Sequence, residues 1–538
     1  MAYVVALVSA WLALVAVTAL RPRRRGVLAA LSYPVGWVAG ELPTQAITVE
    51  LALLGLLAWW GWPVGWIDPV VAVLALVVIG GNLALFVAAW RARRVVVAAM
   101  ANAPDRPLVV AGPREDVYGR WWRTALKLPF HPRGLIVEKN VPYGPEPRHR
   151  LDVWRTSDDL GGAPVIFYIH GGAWTFGDKR EQGRPMLHEF CARGWIVVAA
   201  NYRLAPRDPW PAQIEDVIRT LAWVKREIAA YGGDPDRVVI AGGSAGGHLA
   251  ALAALAGDDR AWRTGEDASL DLSVRGCLSF YGVLEMTGDE DHWRGLGQGL
   301  RRLLEHRVVQ MPFTGNEDLY RSLSPLHRLR ADAPPFFVVQ GATDTLVDVQ
   351  VARNFVAAFR ARCVAPIYYV ELPLTQHAFD LTASPRTSAT TRAAITFAAS
   401  VAAARPHLDE ARLAVYRVPP TELEVEVEGT VVSAHDYAVR VGRFYVVSSD
   451  NPDSVVRDDA RNAADRADLA ARLSVRGVMV APTRARDSRG VHPIEVGVAL
   501  TDRDLAVALA RRYDQMALYE VSVERVMVID AWTGVAYA

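Results

Sequence analysis

Cysteine is scarce: Cys191, Cys277 and Cys363 are the only three in 538 residues, far apart and without a C-x-x-C pair. That excludes a disulfide framework and a thiolate zinc site, and leaves three free thiols in or near a core. Lysine is scarcer still in proportion. Lys127, Lys139, Lys179 and Lys225 are the only four among 59 basic residues, the arginine-rich style of a high-GC bacterial gene and no guide to activity. Neither sign of charge is in excess. The 59 basic and 58 acidic side chains give a net charge of +1, so no global field draws the chain to nucleic acid. Internal repeats are absent. Apolar residues are not lacking, and at 51% with 22% charged they exclude global disorder and suffice for packed cores. At roughly 100–200 residues per domain the length suits about three structural units.

Long uncharged runs are confined to the first 94 residues. Tyr3 to Leu20 carries no charge and is closed by Arg21, Arg23, Arg24 and Arg25. A second run, Leu51 to Ile67, ends among Trp59, Trp60, Trp62 and Trp66, and a third, Pro69 to Trp90, stops at Arg91, Arg93 and Arg94. Each approaches the roughly 20 apolar residues of a spanning helix, so three helices are predicted over 3–20, 46–66 and 69–90. A cleaved signal peptide is ruled out because the basic residues follow the first apolar run. Buried helices of a soluble domain are the alternative, against which the arginine and tryptophan boundaries speak. Val27 to Gly40 is too short and too interrupted by Pro34 for a fourth crossing, which would also put the arginine clusters on opposite faces. Three crossings with the N-terminus outside keep both clusters inside and place everything after Arg91 in the cytoplasm. Glu50, near a span end, is expected to reach the interface. Residues 95–130 read as a connector or cap, with Trp121-Trp122 able to rest on the membrane surface.

From 131 to 405 short β-branched runs alternate with helical patterns. Leu135–Val137, Leu151–Trp154, Val165–Ile169, Trp195–Asn201, Arg237–Ala241, Phe336–Gln340 and Tyr368–Leu372 read as strands, and Ala212–Tyr231 as a helix. This predicts the α/β class with a mostly parallel sheet. One strand runs directly into Gly242-x-Ser244-x-Gly246, followed by a strong helix former. A serine hydroxyl needs exposure and a neighbouring base, and a strained strand-to-helix turn with glycines on both sides supplies the exposure. An earlier strand ends in His170-Gly171-Gly172-Ala173-Trp174, where small residues let backbone N–H groups, with that of Ala245, approach a developing oxyanion. Acid and base follow in the order Ser, Asp, His. Asp344 comes directly after the strand 336–340, and His377 after the strand 368–372. Asp348 is the rival acid, but its position suits a cap for the helix Val349–Phe359.

The motifs His170–Trp174, Asn201–Pro206 (NYRLAP), Asp234–Leu252, Ser324–Val347 and Gln376–Asp380 stand in one order over about half the chain. The segment from about 134 to 404 thereby resembles the hormone-sensitive-lipase-like branch of the α/β-hydrolase superfamily. The resemblance implies a carboxylic-ester hydrolase with a Ser244–Asp344–His377 triad, an oxyanion hole at Gly171, Gly172, Ala173 and Ala245, a structural His170, and no cofactor or metal. It departs from the family at Ala173, where a third glycine is usual; the N–H survives, and the hole should form unless that residue needs a positive φ.

Glu285 to Asn316, with Trp293, Leu296 and Met311 among many arginines, is read as either a lid or a solvated helical excursion. From about 416 to 538 the pattern changes to a small α+β domain. Its stretches Phe444–Ser454 and Asp514–Val521, with Asn462 and Gly477, resemble a small bacterial family of unknown function. The leading expectation is a membrane-anchored serine esterase acting on a small-molecule or lipid ester. An amidase or arylformamidase with the same triad is the enzymatic alternative, and a membrane-tethered binding scaffold the non-enzymatic one.

Overall fold

A computed structural model describes residues 2–22, 27–60, 68–103, 107–110, 134–158, 160–257, 269–287, 296–382, 384–403, 422–427, 430–448, 459–475, 481–486, 495–513, 517–530 and 536–537, together with 259, 261–263 and 515. Arg23–Arg25, Trp62, Trp66, Trp121, Trp122, Trp293 and Gly477 lie outside the described residues. The chain forms two compact units, the first comprising 1–328, 334–357 and 366–403, the second 329–333, 358–365 and 404–538.

The first unit opens with four helices: α1 (Ala2–Leu20), α2 (Val27–Glu41), α3 (Pro43–Trp59) and α4 (Asp68–Ala101). Tyr3–Leu20 and Pro69–Ala101 are each long and apolar enough to cross a membrane; Ser32–Glu41 and Pro43–Trp59, bent by 82° at their junction, would make a third span only if taken together. Packing orders the bundle. Val5 of α1, Leu57 of α3 and Val71 of α4 cluster at one end, and Val15 and Ala19, Ala39 of α2 and Leu85 of α4 at the other. Contrary to the expectation from its place near a span end, Glu50 is fully buried, and its Oε1 accepts a hydrogen bond from Ser9 Oγ at 2.8 Å. An unpartnered polar group would be more costly there than a helix-to-helix bond. The run that the sequence ends at Trp90 continues as helix to Ala101, because Ala92, Val96 and Met100 lie in the hydrolase core.

Eight strands form the central sheet: β1 (Ile136–Pro142), β2 (Arg150–Arg155), β3 (Ala163–Ile169), β4 (Ile196–Ala200), β5 (Gly233–Gly243), β6 (Gly276–Phe280), β7 (Phe336–Gly341) and β8 (Ile367–Leu372). Their order is β1-β2-β4-β3-β5-β6-β7-β8. The pairs from β4 to β8 are parallel, and β1 and β2 add antiparallel strands at one edge. Parallel strands are covered on both faces, which is why IVVAA in β4 and FFVVQG in β7 are buried throughout. Around the sheet lie α5 (Arg184–Cys191), α6 (Ala212–Glu227), α7 (Ala245–Ala256), α8 (Leu296–Leu303), α9 (Glu317–Ser322), α10 (Val349–Arg362) and α11 (Pro385–Val401). Strand β6, GCLSF, is fully buried although its small and polar residues hide it from hydropathy.

The second unit carries an eight-stranded antiparallel sheet, ordered β10-β9-β12-β13-β11-β14-β15-β16, from β9 (Glu422–Val427), β10 (Thr430–Ser433), β11 (Arg443–Ser448), β12 (Ala481–Arg486), β13 (Glu495–Leu500), β14 (Ala517–Ser522), β15 (Val526–Asp530) and β16 (Ala536–Tyr537). Its helices are α12 (Ala434–Val441), α13 (Asp459–Val475) and α14 (Arg503–Arg512), and Leu469, Leu473, Leu505 and Leu509 are buried in its core.

Candidate active site

Four loops leave the C-terminal ends of β3, β5, β7 and β8, where open parallel sheets place their ligand sites. Ser244 stands between β5 and α7 at φ 57° and ψ −123°, a conformation an L-residue holds only under constraint. The neighbours supply the constraint: a Cβ on Gly246 would lie 2.1 Å from the Ile169 carbonyl oxygen, so only glycine lets α7 start this close to β3. Ser244 is left half-buried and within reach of a ligand.

His377 Nε2 lies 2.8 Å from Ser244 Oγ, and its Nδ1 lies 2.8 Å from Asp344 Oδ2. A carboxylate only accepts, so Nδ1 carries the proton and Nε2 is free to accept from the serine. Asp344 is fixed in turn. Its Oδ1 accepts from the N–H groups of Leu346 and Val347 at 2.8 and 2.9 Å, and its Oδ2 from Gln340 Nε2 at 2.8 Å. Asp348 is exposed and accepts from the Gln350 N–H at 2.8 Å, at the start of α10 and away from the imidazole. Gln340 carries no mark in the sequence, because its residue type alone does not single it out.

The loop after β3 divides the proposed oxyanion residues. Gly171 N–H donates to Gln182 Oε1 at 2.8 Å and is therefore already engaged. Its contribution is space, since a Cβ there would come within 3.0 Å of Ser244 Cβ. The N–H groups of Gly172, Ala173 and Ala245 have no partner among the described residues. Ala173 and Trp174 do adopt positive φ, 49° and 59°. Alanine there costs roughly 1–2 kcal/mol, and the loop is held by fixed neighbours. Trp174 accepts from the Ala205 N–H at 3.0 Å through its carbonyl, and its indole N–H donates to His248 Nδ1 at 3.2 Å. His248 Nε2 then donates to the Leu323 carbonyl at 2.7 Å, which fixes its tautomer. Burial pushes the pKa of both His248 and His170 down to about 4, so both are neutral over the physiological range. His170, stacked on Tyr202 at 4.4 Å with its Nδ1 on the Gly171 carbonyl, supports the loop from beneath.

Behind the imidazole lies a second group that sequence reasoning passed over. The Tyr281 ring sits 4.6 Å from that of His377, and its hydroxyl donates to the buried carboxylate of Asp380. Burial raises the Asp380 pKa, against the lowering effect of that hydrogen bond. Asp380 belongs to the quoted motif, and Tyr281 follows the strand that hydropathy hides. The excursion before β7 is tied down by Val308, whose carbonyl accepts from the Trp210 N–H at 2.8 Å. Among the described residues no group of three or more His, Cys, Asp or Glu is placed to hold a metal.

This constellation can support acyl transfer, and the chain is similar to known esterases. Residues 151–359 match the BD-FAE family, and 447–518 match a protein family of unknown function, DUF3293. The chain is 42% identical over 410 residues to "Probable carboxylic ester hydrolase LipM" of Mycobacterium tuberculosis, covering 73% of this chain and 92% of that protein. The chain belongs to this family of α/β-hydrolase esterases. "Esterase LipQ" of the same organism is 36% identical, covering 67% of this chain and 82% of its own. The "Isoprenylcysteine alpha-carbonyl methylesterase ICME" of Arabidopsis thaliana is 28% identical over 42% of this chain and 53% of its own. The protein is thus a carboxylic ester hydrolase with an α/β-hydrolase core and a C-terminal domain of unknown function.

Proposed function

We propose that this esterase works through a Ser244–His377–Asp344 triad and an acyl-enzyme, and that the N-terminal helices, α1 and α4 with the bent α2–α3 pair as a third span, anchor it in a membrane. The reading rests on the unbroken hydrogen-bonded chain from Ser244 Oγ through the imidazole to Asp344. Ser244 Oγ attacks the ester carbonyl carbon and passes its proton to His377 Nε2. The carbonyl oxygen takes the negative charge and turns toward the N–H groups of Gly172, Ala173 and Ala245, each such donor being worth about a hundredfold or more. Collapse expels the alcohol, which leaves with the proton from Nε2, and Ser244 stays acylated. Water then repeats the sequence, giving its proton to Nε2 and releasing the acid. Asp344 holds the imidazole in the required tautomer throughout.

In the domain arrangement that goes with this mechanism, residues 1–94 form the membrane region, 131–405 the catalytic domain and 416–538 the C-terminal domain. The substrate is a small-molecule or lipid ester. A fluorophosphonate probe should label wild-type protein at Ser244 and leave Ser244→Ala unlabelled. Ser244→Ala and His377→Ala should each lose about 10⁴-fold or more in kcat on p-nitrophenyl esters while keeping the wild-type melting temperature. Substantial turnover by either variant would end the triad assignment.

A further inference from the structure

Two aromatic rings approach the catalytic histidine. Tyr281, just after β6, is one; the other comes from α2 of the N-terminal helices. The ring of Tyr33 meets His377 edge-on at a centroid distance of 6.1 Å. One turn further along α2, the Trp37 indole N–H donates to the carbonyl of Ala378, the residue after the histidine, at 2.9 Å. At the end of α2 the Gly40 carbonyl and Glu41 Oε1 accept from Arg386 Nη1, the latter at 3.2 Å. Arg386 is fully buried in the first turn of α11, and its Nη2 donates at 3.1 Å to the carbonyl of Leu374, at the start of the histidine loop.

The contact extends to the acid. Gly36 of α2 lies flat against Gln376, where a Cβ would come within 3.1 Å of Nε2. Gln376 Oε1 accepts from both the N–H and the hydroxyl of Thr345, the residue after Asp344, at 3.2 and 3.1 Å. So α2 touches the histidine loop at its start, at Gln376 and just after His377, and through Gln376 it reaches the acid loop.

We propose that α2 is a positioning element of the catalytic centre, with Trp37 as its principal residue, and that the N-terminal region does more than anchor the esterase. The proposal rests on the triad reading above. Loops carry catalytic side chains well only when neighbours lock them, and a misplacement of about 1 Å can cost a hundredfold. The indole N–H supplies one directed bond to the backbone beside His377. Removing it while keeping an aromatic ring leaves the loop packed but free to drift away from Asp344.

The test uses full-length protein in detergent, with active sites counted by fluorophosphonate labelling. Trp37→Phe should lower kcat per labelled site about tenfold with KM unchanged. It should also shift the acid limb of the pH–rate profile to lower pH, because a slackened bond to Asp344 stabilises the imidazolium less. Tyr33→Leu, which removes the ring edge by a different route, should act in the same direction. Trp11→Phe, on the exposed face of α1, should leave all three readings at wild type. A merely structural role would reduce the number of labelled sites and leave kcat per site and the pH profile unmoved, which would overturn the proposal. If wild type labels at Ser244 and Trp37→Phe matches it in every reading, the positioning role of α2 fails and the triad stands. If wild type does not label and Ser244→Ala still turns over, the triad itself has failed.

Discussion

Two carboxylates four residues apart illustrate how environment, not residue type, assigns a role. Asp344 is buried and receives three hydrogen bonds besides the imidazole, whereas Asp348 is exposed at a helix start. Asp344→Asn should lower kcat by about 10⁴-fold, because the amide favours the wrong imidazole tautomer. Asp348→Asn should leave kcat at wild type and change stability by less than about 1 kcal/mol. Steady-state kinetics beside denaturant melts separate the two, and the reverse pattern would move the acid. The two buried histidines make a different prediction. Folded His170 and His248 titrate at about 4 against an ordinary value of 6.5. Below pH 6.5 the unfolded chain takes up protons that the folded one refuses, so their stability contribution is full above 6.5 and lost as pH falls through about 4. The full interval is worth roughly 3 kcal/mol for each histidine. Urea melts should therefore be flat from pH 8 to 7 and weaken steeply from 6 to 4, and a His248→Gln variant should show a shallower slope. A slope unchanged in that variant would remove His248 from the account. At this scale most of the site was legible, because glycines and a serine in a fixed turn leave a local signature. Gln182, which takes the Gly171 N–H, and Gln340, which steadies Asp344, were not: a glutamine becomes informative only once its partner's position is known.

Elements were readable where hydropathy is periodic or continuous, and misread where the reason for an element lies elsewhere in the chain. Strand β6 is buried by its neighbours, not by its own GCLSF. The end of α4 was lost because three arginines resemble a terminus, yet Ala92, Val96 and Met100 on the other face turn inward to the hydrolase core. At 34 residues and about 1.5 Å per residue, α4 spans roughly 50 Å, well beyond a hydrocarbon core of about 30 Å. One helix thus belongs both to the apolar bundle and to the catalytic domain. Met100→Ala should destabilise the hydrolase by about 2–5 kcal/mol, as for other fully buried side chains of this size. Leu76→Ala, near the other end of the same helix and 72% exposed, should change it by less than about 0.5 kcal/mol. Thermal melts of both variants in one detergent would show it, and equal effects would mean that the end of α4 is not part of the core.

At the scale of the whole first unit, the bundle's packing bears on which side of a membrane the chemistry occurs. The start of α1, the end of α3 and the start of α4 meet around Val5, Leu57 and Val71. The end of α1 meets α2, the middle of α4 and Leu374 of the histidine loop around Ala19, Ala39 and Leu85. So α1 runs toward the hydrolase, α3 away from it and α4 back, while α2, bent by 82° from α3, lies across the hydrolase end. Read as three crossings, this course puts Arg21 on the same side as Arg91, Arg93 and Arg94. The contact that ties α2 to the histidine loop joins residues 341 positions apart, which no reading of the sequence could supply. Arginine is retained in the cytoplasm when loops are short, so the hydrolase is proposed to face inward. Alkaline phosphatase fused after Trp60 should be active and after Arg94 inactive, with a fluorescent protein bright only at the second junction. Active phosphatase after Arg94 would reverse the orientation, strand seven arginines outside and give the esterase an extracytoplasmic ester pool.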